Sequence, residues 1–564
     1  MKATKKVSLR KNQIPLKNKI TEGFNKNNRV LLYALCGVGK TILALSVIED
    51  IVKSGKRVAV STYGRAEIRK HWYEKIKNYS SDLLKDLQIV CSKEDAVKLN
   101  KLKIHAVSNG EVSDTKLFTI FIPQTINPDS NTTVNSIDPN SKLGKFDYII
   151  IDEAHEFLET SRADNEDGRL KRIINTYSHK KTKYLGLTGT GFELIQEGKF
   201  FHKSELVIYD VVDALGDKAI VNCESSVEYF KFTLPSDCYN SSEELTARGA
   251  KRIDNFFRKD GLNNKGKNLL KKRSFFSKKI ESLLGEIKKG EKVLVILPKG
   301  LNCIEGIANT ISMCDKGAAV IKNSKIDKNL RDSNEEEFKN SPKTNFLLVV
   351  DMCGTGWDFP KLDVVIDLTF TRNPKVMIQR LARGIRTFDS KIKSRYIYAV
   401  DQSVGAQKAQ FYLARAMMLT ARSQILGGDI NRVNLSLLNN QVSLDDLTGE
   451  PTRIAPISLL DMQACETGQR KNCGEISFED VIAFEKNTVR EILIKNKIYH
   501  QIKQSDVEDV INFIMKEHEE KDDYILLDKF KKEFPLIYKK AFAKKSSKEI
   551  IREIKALRGR VNEN

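Results

Sequence analysis

Two series of short, apolar, β-branched runs, each run followed by a stretch of helical character, set the tightest limit on what this chain can fold into. Residues 29–34, 57–62, 87–91, 117–122, 146–152 and 184–188 make the first series. Residues 292–297, 318–321, 346–351, 364–368 and 395–400 make the second. Strands separated by helical crossovers pair in parallel, so each series predicts a parallel sheet wrapped by helices. The expectation is therefore an α/β protein with one lobe over residues 1–220 and a second over 291–426. Between them, residues 221–290 turn Lys-, Ser- and Asn-rich, with Lys265, Lys267, Lys271, Lys272, Arg273, Lys278 and Lys279 close together, and read as a linker plus a mostly helical insertion. Residues 127–145 are polar and turn-rich and read as a mobile surface loop. From residue 427 to 564 strand signals fade. Ser-x-x-Asp/Glu capping boxes begin at Ser477, Ser505 and Ser546, and an apolar stripe of Val507, Val510, Ile511, Ile514 and Met515 predicts a mostly α-helical accessory domain.

Charge narrows the partner. Lys and Arg number 95 against 74 Asp and Glu, a formal charge of +21, which favours a polyanion, nucleic acid before an anionic membrane surface. The amino end is basic without an apolar stretch behind it, so no secretory leader is expected, and the apolar runs are far shorter than a membrane span. Nine cysteines stand singly with no CxxC pair, which fits reduced thiols in a cytoplasmic protein, or in a viral protein acting in a host cytoplasm, and disfavours a structural zinc or iron–sulfur site.

The strongest local pattern is Ala34-Leu35-Cys36-Gly37-Val38-Gly39-Lys40-Thr41, set between a predicted strand and a predicted helix. Gly37 and Gly39 let backbone N–H groups wrap a phosphate at a helix N-terminus, Lys40 neutralises β/γ oxygens, and the Thr41 hydroxyl binds Mg²⁺. Ala34 stands where the first glycine is usual. About a hundred residues on, an apolar strand ends in Asp152-Glu153-Ala154-His155. Asp152 can hold Mg²⁺ through water, and Glu153 can orient or deprotonate the attacking water. An ordinary acidic turn accounts for the two carboxylates alone, but not for their place downstream of a Gly-Lys-Thr loop.

With these elements the chain resembles the DEAH-type superfamily 2 helicases and translocases, and the resemblance runs in order from residue 9 to 400. It implies two RecA-like lobes that use ATP and Mg²⁺ and bind nucleic acid. Leu9-Arg10-Lys11-Asn12-Gln13 resembles the adenine-reading element, in which Gln13 bonds the adenine edge. Residues 58–63 and 121–125 resemble elements on the nucleic-acid backbone. Leu187-Thr188-Gly189-Thr190 and His155 resemble the groups that couple the nucleotide to that track, with Gly191 where proline is frequent. In the second lobe, residues 294–298, the segment 351–360 with Gly356 and Asp358 at the nucleotide, and Gln379-Arg380-Leu381-Ala382-Arg383-Gly384-Ile385-Arg386 continue the resemblance. Gln379 takes a coupling role. Arg383 and Arg386, three apart, are expected on one helix face, aimed at a γ-phosphate as arginine finger and nucleotide sensor. Ala382 replaces the usual glycine.

Arg-Gly-Ile-Arg is similar to the motors of restriction enzymes and phage branch-remodelling helicases, which favours DNA over RNA. The resulting expectation is an ATP-dependent helicase or translocase with a protein partner possible at the C-terminal domain. Its rivals are an RNA helicase, the motor part of a nuclease or restriction system, and a non-catalytic ATP switch. For a nuclease within this chain the best match is Glu519-x-Lys521, which is trivial in so charged a sequence. Intact Lys40, Glu153, Arg383 and Arg386 argue against a switch. The basic face Lys539, Lys540, Lys544, Lys545, Lys548, Arg552, Lys555, Arg558 and Arg560 is either a phosphate surface or a solvated one. Trp72 and Trp357 read as core rather than as base-stacking side chains.

Overall fold

In the computed structural model, the residues described are 7–477 and residue 532, apart from 36, 63–65, 92, 102, 108–112, 114, 122–144, 156–176, 190–199, 203–204, 260–282, 314–315, 324, 351–356, 358, 427, 429–431, 435–436, 439–441, 445–450, 468 and 470–474. Several expectations lie outside them: the loop at 127–145 up to its last residue, the Lys-rich run from Lys265, the boxes at Ser505 and Ser546, the stripe from Val507, Glu519-x-Lys521 and the basic face from Lys539. The chain divides into two compact units, Met1–Val221 with Cys353–Asp358 and Leu419–Gly428, and Asn222–Met352 with Phe359–Met418 and Asp429–Asn564.

The first unit is built on eight parallel strands: β1 (Arg29–Ala34), β2 (Val58–Ser61), β3 (Leu87–Val90), β4 (Ala106–Val107), β5 (Phe118–Phe121), β6 (Tyr148–Asp152), β7 (Lys183–Thr188) and β8 (Leu206–Tyr209). Their spatial order is β4-β3-β5-β2-β6-β7-β1-β8. Sequences such as Arg-Val-Leu-Leu-Tyr-Ala in β1 are buried along nearly their whole length because helices cover both faces. Helix α1 (Gln13–Lys26) seats Leu16, Ile20 and Phe24, spaced one turn apart, in the core. Helices α2 (Lys40–Lys53) and α3 (Ala66–Tyr79) follow β1 and β2. The segment Leu419–Gly428 completes this unit. The Tyr33 hydroxyl of β1 donates to the Leu419 carbonyl, and Arg422 pairs with Asp210 at 2.6 Å and Asp213 at 2.8 Å.

The second unit carries a sheet of β9 (Asn222–Phe230), β10 (Val293–Leu297), β11 (Ala318–Asn323), β12 (Thr344–Val350), β13 (Val364–Asp367), β14 (Lys393–Asp401), β16 (Val442–Leu444) and β17 (Pro451–Ser458). Its order is β11-β12-β10-β13-β14-β9-β17-β16, parallel as far as β9 and antiparallel beyond it. A small antiparallel pair joins β15 (Arg432–Asn434) to β18 (Glu475–Ser477).

Both predicted strand series are present, and with them the two-lobed α/β class. Two differences are physical. Residues 222–230, assigned to the helical insertion, form a strand that pairs with β14 over nine residues. Residues 451–458, assigned to the helical tail, form the strand beside it. Neither reads as an apolar run, because Ser225, Ser226 and Glu228 are buried by pairing and Arg453 answers Glu228 at 3.2 Å. After β17, helix Leu459–Glu466 opens on a capping box of Ser458 and Asp461. Among the described residues, no helix is long and apolar enough to cross a membrane.

Gly186 in β7 has no room for a side chain: a Cβ there would lie 2.6 Å from Leu31 Cδ1 and 2.8 Å from Phe201 Cζ. Gly186→Ala is expected to destabilise the first unit by about 1–3 kcal/mol, read as a lowered melting transition in calorimetry. Gly216→Ala, with open space around the added methyl, should leave that transition in place.

Candidate functional site

Strands β6, β7 and β1 are neighbours and all parallel, so their C-terminal ends open on one edge of the first sheet. That edge, where successive strand–helix connections part, is where ligands of open α/β sheets bind. The loop from β1 to α2 passes through Gly37 at φ +94° and Gly39 at φ +90°, left-handed backbone that glycine adopts without strain. Gly39 is doubly constrained, because a Cβ there would lie 2.5 Å from Gln13 Nε2. The buried Gln13 amide donates to Val38 O at 3.0 Å and Gly39 O at 3.3 Å, and accepts from Arg10 N at 2.9 Å. The group that the resemblance gives to adenine thus also ties the N-terminal segment to the loop. Lys40 Nζ donates to Ala34 O at 2.9 Å, and Thr41 lies beside it in the first turn of α2. This helix N-terminus is a positive pole suited to phosphate.

On the neighbouring strand end, Asp152 closes β6 and Glu153 takes φ +50°, a conformation rare for a residue with a side chain. Asp152 Oδ1 accepts from Glu153 N at 3.1 Å, and Oδ2 accepts from Trp72 Nε1 at 2.7 Å. Burial, and then the adjacent Glu153 carboxylate, push Asp152 up to about 6, while the Trp72 bond and Lys40 pull the other way. Buried His155 shares a 3.0 Å hydrogen bond with Thr188 Oγ1 at the end of β7, and its Nδ1 stands 3.7 Å from Glu153 Oε2. Gln13, Gly37, Gly39, Lys40, Thr41, Asp152, Glu153, His155 and Thr188 therefore gather at one sheet edge. Thr190, Gly356, Asp358 and parts of 58–63 and 121–125 lie outside the described residues.

In the second unit, Gln379 is half-buried on helix Pro374–Leu381. Arg383 and Arg386 do not share a helix face as expected. The helix ends at Leu381, and Arg383 N and Gly384 N bond three residues back, to Arg380 O and Leu381 O, each at 3.0 Å. The chain tightens into a turn because glycine at 384 gives the helix no support and packs against Ser394, whose Cβ a Gly384 Cβ would meet at 3.2 Å. Contacts that no sequence pattern marks hold this turn. Arg380 is fixed to buried Asp367, at 2.9 Å, which accepts from the Tyr396 hydroxyl at 2.8 Å as well. Lys391 Nζ donates to the carbonyls of Pro360, Leu362 and Gly384. Burial pushes that lysine down to about 8. No spacing rule marks Lys391, since its partners are backbone oxygens. Trp72, expected in the core, is wholly buried, and so is most of Trp357.

Two adjacent, partly buried carboxylates leave Asp152 protonated to a higher pH in the folded protein than in the unfolded chain. Folding therefore takes up a proton between the ordinary carboxylate range and about 6, and stability falls as pH rises through that interval. Asp152→Asn removes the ionisation and keeps an oxygen for Trp72. Melted without nucleotide or divalent cation, it is expected to exceed the wild type in melting temperature at about pH 7.5 and to converge with it at about pH 4.5. An offset that stays constant with pH would contradict this.

Residues 6–193 match the family model described as "Type III restriction enzyme, res subunit", and residues 277–387 match "Helicase conserved C-terminal domain". No curated protein matches the chain. Among solved structures it is similar to the ATP-dependent type ISP restriction-modification enzyme LlaBIII bound to DNA, with 11% identity, a TM-score of 0.49, and coverage of 99% of this chain and 41% of that one. The chain thus spans about two fifths of the length of that enzyme. It is also similar to a fragment of an HsdR subunit of a type I restriction enzyme from Vibrio vulnificus YJ016, at 12% identity and TM-score 0.45, covering 75% and 67%. A third likeness is to Mss116p bound to ssRNA and AMP-PNP, at 16% identity and TM-score 0.43, covering 72% and 76%. With the two domain models matched in order along one chain, residues 6–193 and 277–387 carry the paired helicase domains of superfamily 2 helicases and translocases.

Proposed function

We propose that the protein hydrolyses ATP with Mg²⁺ and uses the cycle to move along or remodel nucleic acid, DNA before RNA. The observation that carries this reading is the meeting of the Gly-Lys-Thr loop, the Asp152–Glu153 pair and the His155–Thr188 bond at the ends of three adjacent parallel strands. The donors also fit the cation: the Thr41 hydroxyl and the Asp152 carboxylate are hard oxygen ligands, and the two adjacent carboxylates call for positive charge. Bound there, Mg²⁺ would neutralise phosphate oxygens.

The remaining work falls to the chain. Lys40 exchanges the Ala34 carbonyl for β/γ-phosphate oxygens. The backbone around Gly37 and Gly39 wraps the phosphates, and Gln13 reads the adenine edge. Glu153 takes the proton of the attacking water, and His155, between Glu153 and Thr188, links the state of the γ-phosphate to the end of β7. Arg383 and Arg386 keep the roles of finger and sensor, and Gly356, Asp358, Thr190 and Gln379 complete the assignment. A charge of +21 supports phosphate-dominated, sequence-tolerant and salt-sensitive binding. The restriction-subunit description of the first domain favours DNA, and it equally suits a motor working with a nuclease partner.

ATP turnover measured against single-stranded, duplex and branched DNA and RNA tests substrate class directly. Stimulation by RNA alone would displace the DNA assignment, and no stimulation by any of them would displace the motor. Glu153→Gln is expected to bind ATP and Mg²⁺ while turnover falls by about 10²- to 10⁴-fold. Lys40→Ala should lose turnover without losing its fold, because Lys40 contributes a phosphate partner rather than core packing. Near-normal hydrolysis by a folded Lys40→Ala protein would remove the loop assignment.

A further inference from the structure

An aspartate at the end of a strand turns easily about χ2, a torsion with a broad energy well, yet a carboxylate that holds a metal through water must present its lone pairs in a fixed direction. Among the described residues, each oxygen of Asp152 has one donor: Glu153 N on Oδ1 at 3.1 Å and Trp72 Nε1 on Oδ2 at 2.7 Å. The first comes from the neighbouring residue of the same chain segment. The second comes from α3, eighty positions earlier, on a side chain with no exposed surface. An indole N–H is a donor only, and buried it must find an acceptor or leave a costly unpaired group. Purely apolar side chains pack without that demand, so the polar edge of the indole is the part that packing alone leaves unexplained. Being neutral, it orients the carboxylate while leaving its charge for a cation.

We propose that Trp72 is a positioning residue for the metal carboxylate: its indole N–H locks Asp152 in the rotamer that receives the hydrated Mg²⁺ of bound ATP. The inference rests on the reading of Asp152 as that carboxylate. Outer ligands of this kind commonly change metal affinity by about 10- to 100-fold when removed.

The test uses the full chain and ATP, with Mg²⁺ as the titrant. Trp72→Phe keeps an aromatic ring in the core and deletes the donor. Its Mg²⁺ midpoint for ATP binding, followed by equilibrium dialysis, is expected to rise about 10-fold while saturating Mg²⁺ restores wild-type occupancy. A Phe variant that melts lower but binds with the wild-type Mg²⁺ midpoint would overturn the proposal and leave Trp72 as core packing. A wild type whose ATP binding ignores Mg²⁺ would overturn the nucleotide-site reading itself, and this inference with it. A second measurement does not depend on the folding of Trp72→Phe. The chain has 2 tryptophans, so Trp357→Phe leaves Trp72 as the sole indole emitter. Its fluorescence should change with the same Mg²⁺ midpoint as ATP binding, and emission indifferent to Mg²⁺ at saturating ATP would overturn the assignment.

Discussion

The side-by-side parallel pairing of β6, β7 and β1 is the constraint on which the rest of the site depends. Because Leu31 pairs with Gly186 and Ile151 pairs with Gly186 from the other side, the three strands run out at the same level. Their last residues are then delivered to one edge without any loop having to reach for another. The apolar strand bodies provide the hydrophobic anchorage, and the polar ends inherit their positions from it. Gly186 sits at the centre of that arrangement, and its missing side chain lets Leu31 and Phe201 close over the sheet.

Within this frame the chemistry is packed at an electrostatic cost. Asp152 and Glu153 are adjacent carboxylates, one of them driven toward the protonated form, and Glu153 holds a backbone conformation that side chains avoid. Both features work against stability, and both place oxygens where phosphate and a divalent cation would relieve them. Such strain concentrates where function requires it and is offset by packing elsewhere. Here the offset comes from the sheet core beneath and from the hydrogen bond between buried His155 and Thr188.

Much of this was legible in the sequence because it depends on local pattern. The strand series marked both sheets, and Gly37-Val38-Gly39-Lys40-Thr41 and Asp152-Glu153 stood out because their chemistry lies along consecutive residues. What escaped depends on partners distant in the chain. Strand β9 is polar until Arg453 and the neighbouring strands make Glu228, Ser225 and Ser226 tolerable inside. The Arg383 turn depends on Lys391 reaching three carbonyls, and a carbonyl carries no sequence signature. Trp72 looked like core and is core; the sequence could not reveal which atom its nitrogen meets.

The return of Leu419–Gly428 to the first unit has a consequence for how the protein is made. Tyr33 of β1 donates to Leu419, and Asp210 and Asp213 are paired by Arg422. Residues up to Val221 contain every strand of the first sheet, yet these seats are filled by a segment that leaves the ribosome only after most of the second unit. At about 5–20 residues per second, the first unit waits roughly 10–40 s in an unfinished state, with the capping segment not yet synthesised. Synthesis order thus makes the maturation of the first sheet contingent on translation through residue 428, so a truncated chain is marked by an incomplete first unit before any activity is asked of it.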